Sequence, residues 1–360
     1  MGDGIDYRLD GISVLPGPAP AEGPIPWGIR LTPGLQLNVG GFFTEFRLEG
    51  GAGQGTTTPI GANYFDSVPS SSLSDKVPVS AWVYAPKSDE DLFRANFGIR
   101  SLNVGYRFTP DFFIRFGRYR YDVTEHQRLL MANAYSGQSK FSYITIPLHW
   151  LGGEIRYDRR RGDETVRQLL FSASSMYGAD NTVLGVGQGL VSFALNQDPH
   201  PPLLTLTAYG SVRSNPQPTS GAPYPTPGLT HGEGFALQLD YGIFSGIAGY
   251  AHRDGFSVDD LGREIVETRD GLDIILDLHP GDFRFRGALA FLNRGQGKDV
   301  GLTPATGQTE IDTEISASYS IVEGLQVSAG YRGAYSSDGR SSHMAFLGLL
   351  STFHGTIPFH

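Results

Sequence analysis

The sequence contains no cysteine, only 4 methionines and no long uninterrupted run of apolar residues. Without cysteine, disulfide bonds, thiolate metal sites and cysteine nucleophiles are excluded. A transmembrane helix needs about 20 consecutive, mostly apolar residues, so a helical membrane protein is excluded as well. A transmembrane strand is still allowed, because only its alternate, lipid-facing residues must be apolar.

An excess of basic residues is also missing. Lys and Arg number 28 against 37 Asp and Glu, which gives a formal net charge of -9. A nucleic-acid-binding protein needs a basic face, so no nucleic-acid partner is expected. Residues 1–14 have neither a basic n-region nor an apolar h-region. We therefore predict no signal peptide here and expect the printed chain to be the mature form of an exported protein.

Glycine and aromatic residues are abundant, with 48 Gly, 22 Phe and 17 Tyr. Because long runs of the helix formers Ala, Leu, Glu and Lys are absent, the composition predicts an all-β protein. Residues 1–33 are rich in Pro and Gly (LPGPAPAEGPIPWG), so we predict a terminal extension without a regular strand over most of its length. The β-barrel is predicted over 34–353, and 354–360 are predicted to form a C-terminal tail.

Alternation of apolar and polar residues indicates the strands. In the run 270–278 the two faces are formed by Leu272, Ile274 and Leu276 and by Asp273 and Asp277. The Pro280-Gly281 turn is predicted to place Asp277 opposite Arg284. Such runs are nearer the 9–11 residues of a tilted membrane strand than the roughly 5–6 of a soluble sandwich.

Counting these runs predicts a closed antiparallel transmembrane β-barrel with 14 strands. A 16-stranded barrel is the alternative, if the weak run 77–84 joins another N-terminal run. Short turns alternate with longer connectors, as in outer-membrane barrels. The predicted strands are 34–48, 97–108, 112–122, 144–158, 166–177, 186–196, 203–213, 233–241, 245–253, 270–278, 282–293, 311–321, 325–335 and 343–353.

The hairpins YRFTPDFFIRFGRYRYD (106–122) and DLHPGDFRFRGALAF (277–291) resemble those of the Gram-negative outer-membrane porins. The resemblance covers about 34–353 and is one of architecture, without a family-specific motif. It implies an outer-membrane location, contact with lipid and lipopolysaccharide, and passage of small polar solutes. Trimers are common among general porins, so a homo-oligomer is possible. The chain ends in Ile-Pro-Phe-His, whereas barrels of this class usually end on an aromatic residue.

Arginine on the polar face is the most informative feature for function. Phe112, Ile114 and Phe116 form the predicted lipid face, which leaves Arg115 inward. An arginine at the bilayer midplane costs about 2–4 kcal/mol, so we predict a bulge near Gly117 that turns the later arginines of this strand inward. The predicted pore-lining residues are Arg107, Arg115, Arg118, Arg120, Arg156, Asp240, Asp273, Asp277, Arg284, Arg286, Asp312, Glu314 and Arg332.

Five arginines of the earlier strands and five carboxylates of the later strands would form opposed walls across the lumen. Such walls would produce a transverse field that favours dipolar or charged solutes. In the other interpretation they are ordinary solvated or paired charges of a polar lumen.

No catalytic, cofactor or metal site is predicted, so the chain is not expected to be an enzyme. The 9 histidines form no HExxH motif, and the glycines at 185–189 lack the strand-to-helix context of a nucleotide-binding loop. We predict an outer-membrane channel for passive diffusion of small polar or charged solutes. The alternatives are a barrel with a blocked lumen that acts as a structural or partner-binding scaffold, and a soluble all-β binding protein.

Overall fold

The structure is a computed structural model in which every described regular element is a β-strand. In the part of the chain that it describes, no helix is long and apolar enough to cross a membrane. The described residues are 3–17, 27–54, 94–119, 150–177, 183–198, 200–214, 229–258, 264–294, 308–337 and 341–359.

Sixteen strands form one closed antiparallel barrel, in which each strand pairs with its neighbours in the chain. The barrel closes where the first strand pairs with the last, from Gly4 and Pro358 to Gly17 and Ala345. The strands are β1 (Gly4–Gly17), β2 (Trp27–Val39), β3 (Phe42–Gln54), β4 (Arg94–Thr109), β5 (Phe112–Tyr119), β6 (Trp150–Arg160), β7 (Val166–Tyr177), β8 (Val183–Ala194), β9 (Leu203–Ser214), β10 (Leu229–Tyr241), β11 (Phe244–Val258), β12 (Glu264–Leu278), β13 (Phe283–Arg294), β14 (Gln308–Val322), β15 (Leu325–Ser336) and β16 (Ser341–Pro358).

The all-β closed barrel is confirmed, and of the two predicted counts the structure has 16 strands. One further strand arises because the predicted run 34–48 is divided by a turn at Gly40 and Gly41. Their φ angles are 54° and 88°, values that glycine adopts without a steric penalty. The other further strand is β1. The weak run 77–84 lies outside the described residues.

The prediction of an N-terminal extension over residues 1–33 is wrong for β1 and the start of β2. The proline that argued against a strand, Pro16, lies beyond the last β1–β2 pair at Val14 and Gly28. It pairs only with Phe346 of β16, so its missing N–H is tolerated as on an edge strand. The first strand is therefore part of the barrel wall.

The predicted tail at 354–360 is likewise mostly strand. Since β1 provides a partner as far as Pro358, β16 continues past Phe353, the residue predicted to close it. Beyond the strand, the Phe359 N–H donates to the Asp3 carbonyl at 3.0 Å.

The two ends of the barrel differ in the length of their connectors. At one end the strands are joined by 40–41, 110–111, 161–165, 195–202, 242–243, 279–282 and 323–324, which we call the short-connector end. The connectors at the opposite end include 55–93 and 120–149. The predicted alternation of short and long connectors therefore holds only in part, because 178–182, 259–263 and 337–340 at this opposite end are shorter than 195–202 at the short-connector end.

The wall has an apolar outer face and a largely polar inner face. In β12, Leu272, Ile274 and Leu276 are exposed on the outside, whereas Asp273 and Asp277 are buried on the inside. The exposed large side chains of other strands continue this apolar outer surface. A belt of this kind is favourable against hydrocarbon and unfavourable in water, which argues against the soluble alternative.

Candidate functional site: the inner face of the barrel wall

Asp277 is the centre of a buried ion cluster on β12 and β13, at the short-connector end. Its Oδ1 accepts from Arg286 Nε at 2.7 Å, and its Oδ2 accepts from Arg286 Nη2 at 2.8 Å and from Arg284 Nη2 at 2.6 Å. Both Asp277 and Arg286 are only 2% exposed. The Cα partner of Asp277 is Arg286 rather than the predicted Arg284, because strand pairing stops at Leu278 and Phe285 and leaves a wider turn.

Three more of the predicted acids lie on the same inner face. Glu314 of β14 is buried and accepts from Ser316 Oγ at 3.1 Å. Asp240 of β10 accepts from Gln238 Nε2 at 2.8 Å and from Ser245 Oγ at 2.6 Å. Asp273 of β12 is also buried, two residues before Ile275 on the same inner face. We call the inner face of β12–β14, with Asp277, Arg284, Arg286 and Glu314, the charged wall.

The turn beside the charged wall carries a histidine, His279. Burial lowers its pKa, and the nearby Arg284 guanidinium lowers it further. Both effects disfavour the imidazolium form, so His279 is neutral at pH 7.

Arg115 of β5 lies inward, as predicted, and is bound by Glu154 of β6. Its Nε and Nη2 both donate to Glu154 Oε2, and Glu154 is 2% exposed. The Arg115 guanidinium also stacks over the ring of Tyr119, 4.1 Å from its centroid. The Tyr119 hydroxyl hydrogen-bonds Ser174 Oγ at 2.7 Å. Tyr119 therefore faces inward, whereas the predicted bulge near Gly117, which turns Arg118 inward, would have turned Tyr119 outward.

Arg118 is the clearest error among the predicted site residues. Its Cα partners are Leu102 and Leu151, whose side chains are 50% and 52% exposed on the outer face. Gly117 has a φ of 133°, but the register runs through it without a shift, so no residue is inserted and the alternation does not change phase. Arg118 therefore occupies an outward position. Its Nε and Nη2 are buried without a hydrogen-bond partner among the described residues.

Two further predicted arginines take part in local contacts. Arg107 of β4 donates from Nη1 to Asn38 Oδ1 at 3.1 Å and stacks over the Phe43 ring at 4.6 Å. Arg156 of β6 forms an ion pair with Asp158 at 3.3 Å. Both lie in the half of the barrel that was expected to be a purely basic wall.

The predicted separation into a basic and an acidic wall is therefore not found among the described residues. Arg115 and Arg156 have carboxylate partners within their own half, and Asp277 has arginine partners within its half. Because opposite charges meet within each half, the field across the lumen is weaker than the sequence suggested.

The side chains of three predicted residues lie outside the described part of the structure. Arg120 lies outside the described residues. Asp312 of β14 and Arg332 of β15 belong to described strands, and Arg332 is the Cα partner of Glu314, but their side chains are outside the description. Within the described ranges, no group of three His, Asp or Glu residues could hold a metal ion.

A polar surface that sequence reasoning missed lies on β7–β9. Thr205 Oγ1 donates to Ser192 Oγ at 2.9 Å, and Gln188 Nε2 donates to Ser172 Oγ at 3.0 Å. The sequence signal for it is alternate Ser or Thr in β7 (172 and 174) and β9 (205, 207 and 211), whereas β8 contributes only Gln188 and Ser192. We call the surface the hydroxyl wall; its buried members are Ser172, Ser174, Gln188, Ser192, Thr205, Thr207 and Ser211.

No protein family and no curated protein matches the sequence of this chain. Solved structures do share its fold. Salmonella typhi OmpF, in complex with daunomycin, has a TM-score of 0.60 at 12% identity and covers 98% of this chain and 98% of its own. Pseudomonas putida OprB at high pH has a TM-score of 0.56 at 12% identity, covering 98% and 94%. The trimer form of Vibrio cholerae OmpT has a TM-score of 0.55 at 10% identity, covering 99% and 100%.

The chain is thus a porin-like, 16-stranded antiparallel barrel. At 10–12% identity the likeness establishes the fold. The chemistry of the inner wall belongs to this chain and must be argued from its own residues.

Proposed function

We propose that this protein is a channel of the Gram-negative outer membrane, through which small polar or charged solutes diffuse passively. The observation that carries the proposal is the pairing of an apolar outer face with a polar inner face around a closed barrel of 16 strands. Barrels of 16–18 strands leave an aqueous channel, whereas barrels of about 8 strands are filled by their own side chains.

The inner wall contains two kinds of polar group. The charged wall and the Arg115–Glu154 pair present ionised groups that are already paired, and the hydroxyl wall presents uncharged groups. Paired charges select weakly between cations and anions, because each sign is partly cancelled close by. We therefore expect modest ion selectivity and passage of neutral polar solutes as well.

The environment follows from the same argument. Solved structures with this fold are described as outer-membrane proteins, and an apolar belt needs lipid around it. We propose outer-membrane lipid and lipopolysaccharide as its surroundings. A homo-oligomer is proposed from the trimer form of Vibrio cholerae OmpT, and the protein is proposed to work without a catalytic centre or a cofactor.

Planar-bilayer recording of the purified, folded protein tests the proposal. We expect stable conductance steps in potassium chloride, with a reversal potential close to zero in a salt gradient. Liposomes that contain the protein should also swell in a small neutral sugar. A folded protein that inserts into the bilayer but gives neither conductance nor swelling would instead support the blocked scaffold.

A further inference from the structure

A cavity of about 550 Å³ lies at the short-connector end, on the lumen side of the wall. It extends from the β6–β7 turn to the β10–β11 turn. Its lining includes Arg160, Arg161, Arg167, His200, Leu203 and Asp240. Leu203 and Asp240 are a Cα pair on the inward register of β9 and β10, which places the cavity at the mouth of the lumen.

Arg167 is brought to this cavity by a β-bulge. The neighbouring Gln168 lies inward and donates to Asp158 Oδ1 at 2.8 Å, so strict alternation would turn Arg167 outward. The β7–β8 register shifts between Val166 and Gln168, which makes Arg167 the extra residue. Its carbonyl accepts from the Arg161 N–H at 2.9 Å, which closes the β6–β7 turn. Bulges re-aim side chains in this way and often occur beside functional sites.

The guanidinium groups around the cavity retain capacity for a ligand. Arg167 Nε is buried and has no hydrogen-bond partner among the described residues. Arg160 and Arg161 are bound by Asp158 and by Asp111, yet their side chains are 63% and 42% exposed. They can therefore contact a further group without losing these carboxylates.

The acidic member of the lining, Asp240, has hydrogen-bond partners of its own and lies apart from Arg167. Both carboxylate oxygens of Asp240 already accept hydrogen bonds, one from Gln238 and one from Ser245. Asp240 comes from β10, three strands away from Arg167 of β7. Arg160 and Arg161 have carboxylate partners in Asp158 and Asp111, whereas the buried Nε of Arg167 lacks an acceptor among the described residues.

We propose that this cavity binds the oxyanion group, carboxylate or phosphate, of a small anionic solute at the mouth of the channel. A guanidinium presents two parallel N–H donors that match the two oxygens of either group. The volume falls within the range of about 300–1,000 Å³ that is usual for small-molecule sites. That the anion is a permeating solute rests on the proposed channel function; the binding site itself does not.

Calorimetric titration of the full-length protein in detergent micelles tests the site without requiring conductance. Inorganic phosphate and succinate are titrated separately at constant ionic strength, which distinguishes the two oxyanion sources. We expect saturable binding of at least one. Arg167→Gln should weaken it about ten-fold or more, the loss expected for a charge-assisted hydrogen bond. Arg167→Lys keeps the positive charge but loses the two parallel N–H donors of the guanidinium, so its affinity should lie between those of the wild type and Arg167→Gln.

Arg159→Gln is the matched control. Arg159 lies at the end of β6, next to Arg160, but it is paired with Glu164 and is not part of the cavity lining. Losing its charge should therefore change the affinity by less than about two-fold. Should Arg167→Gln fail to fold, Arg161→Gln carries the same expectation, because Arg161 is an exposed turn residue of the lining.

The outcomes separate the site from the channel. Wild-type protein that binds neither anion overturns the site, as does an Arg159→Gln variant weakened as much as Arg167→Gln. Binding without bilayer conductance supports the site and contradicts the channel. Conductance without binding supports the channel function and overturns the binding site.

Discussion

The charged wall of β12–β14 and the hydroxyl wall of β7–β9 belong to the same inner face but are stabilised by different interactions. In the charged wall, one carboxylate, Asp277, is bound by two arginines. In the hydroxyl wall, links such as Thr205 to Ser192 join uncharged groups. Removing one member of a buried ion cluster leaves an uncompensated charge, whereas removing a hydroxyl leaves a much smaller deficit. The folded state should therefore depend far more on the charged wall.

The largest effect is expected for Asp277→Asn. The change leaves Arg284 and Arg286 together without their carboxylate, and it should lower the free energy of unfolding by about 3–5 kcal/mol. Urea unfolding in lipid vesicles, followed by tryptophan fluorescence, measures this. Asp282→Asn removes the same charge from an exposed turn residue and should change stability by less than about 0.5 kcal/mol. Equal losses in the two variants would show that the ion cluster has no special role.

Two arginines of β5 sharpen the comparison, because one is ion-paired inward and the other lies outward. Arg115→Leu leaves buried Glu154 unpaired and should destabilise the protein by about 3 kcal/mol. Arg118→Leu removes an arginine from between two exposed leucines and should stabilise it, by up to about 2–4 kcal/mol at full membrane depth.

The same two variants differ in conductance measurements. Arg115→Leu should shift the reversal potential toward cations, because it removes a positive charge from the lumen wall. Arg118→Leu should leave the reversal potential unchanged. A shift caused by Arg118→Leu would restore the predicted bulge and place this arginine in the lumen.

Thr205→Val gives the smallest expected effect. Valine fills the same space but cannot donate to Ser192, so the loss should be about 1 kcal/mol, with unchanged ion selectivity. The same urea and bilayer measurements apply. A loss as large as that of Asp277→Asn would remove the distinction between the two walls.

Alternation predicted the fold well where it was uninterrupted. For β12, period-2 spacing was sufficient to place Leu272 outside and Asp277 inside, because alternate side chains of a strand point to opposite faces of the wall. The two missed strands had local causes. The Gly40-Gly41 turn signal was present in the sequence but lay within an apparently continuous run, and Pro16 is tolerated only because of a pairing that the sequence does not state.

The contacts of the site were less predictable than its orientation. Whether Arg115 faces a distant acid or the adjacent Glu154 depends on the β5–β6 register, and that register follows a connector of some thirty residues. For Arg118, the cost of lipid exposure was a sound physical argument for a bulge. The chain instead keeps the arginine on the outer face, and the sequence contains no signal that distinguishes the two solutions.

The most direct test of the account uses the absence of cysteine in the chain. Single cysteines are introduced at two adjacent residues of β13: Ala288, partly buried on the inner face, and Leu289, exposed on the outer face. Each variant is treated in planar bilayers with a charged, membrane-impermeant thiol reagent. The account predicts that Ala288→Cys is modified and its conductance falls, while Leu289→Cys neither reacts nor changes. Modification of Leu289→Cys instead, or of neither variant in an open channel, would contradict a water-filled lumen along the charged wall.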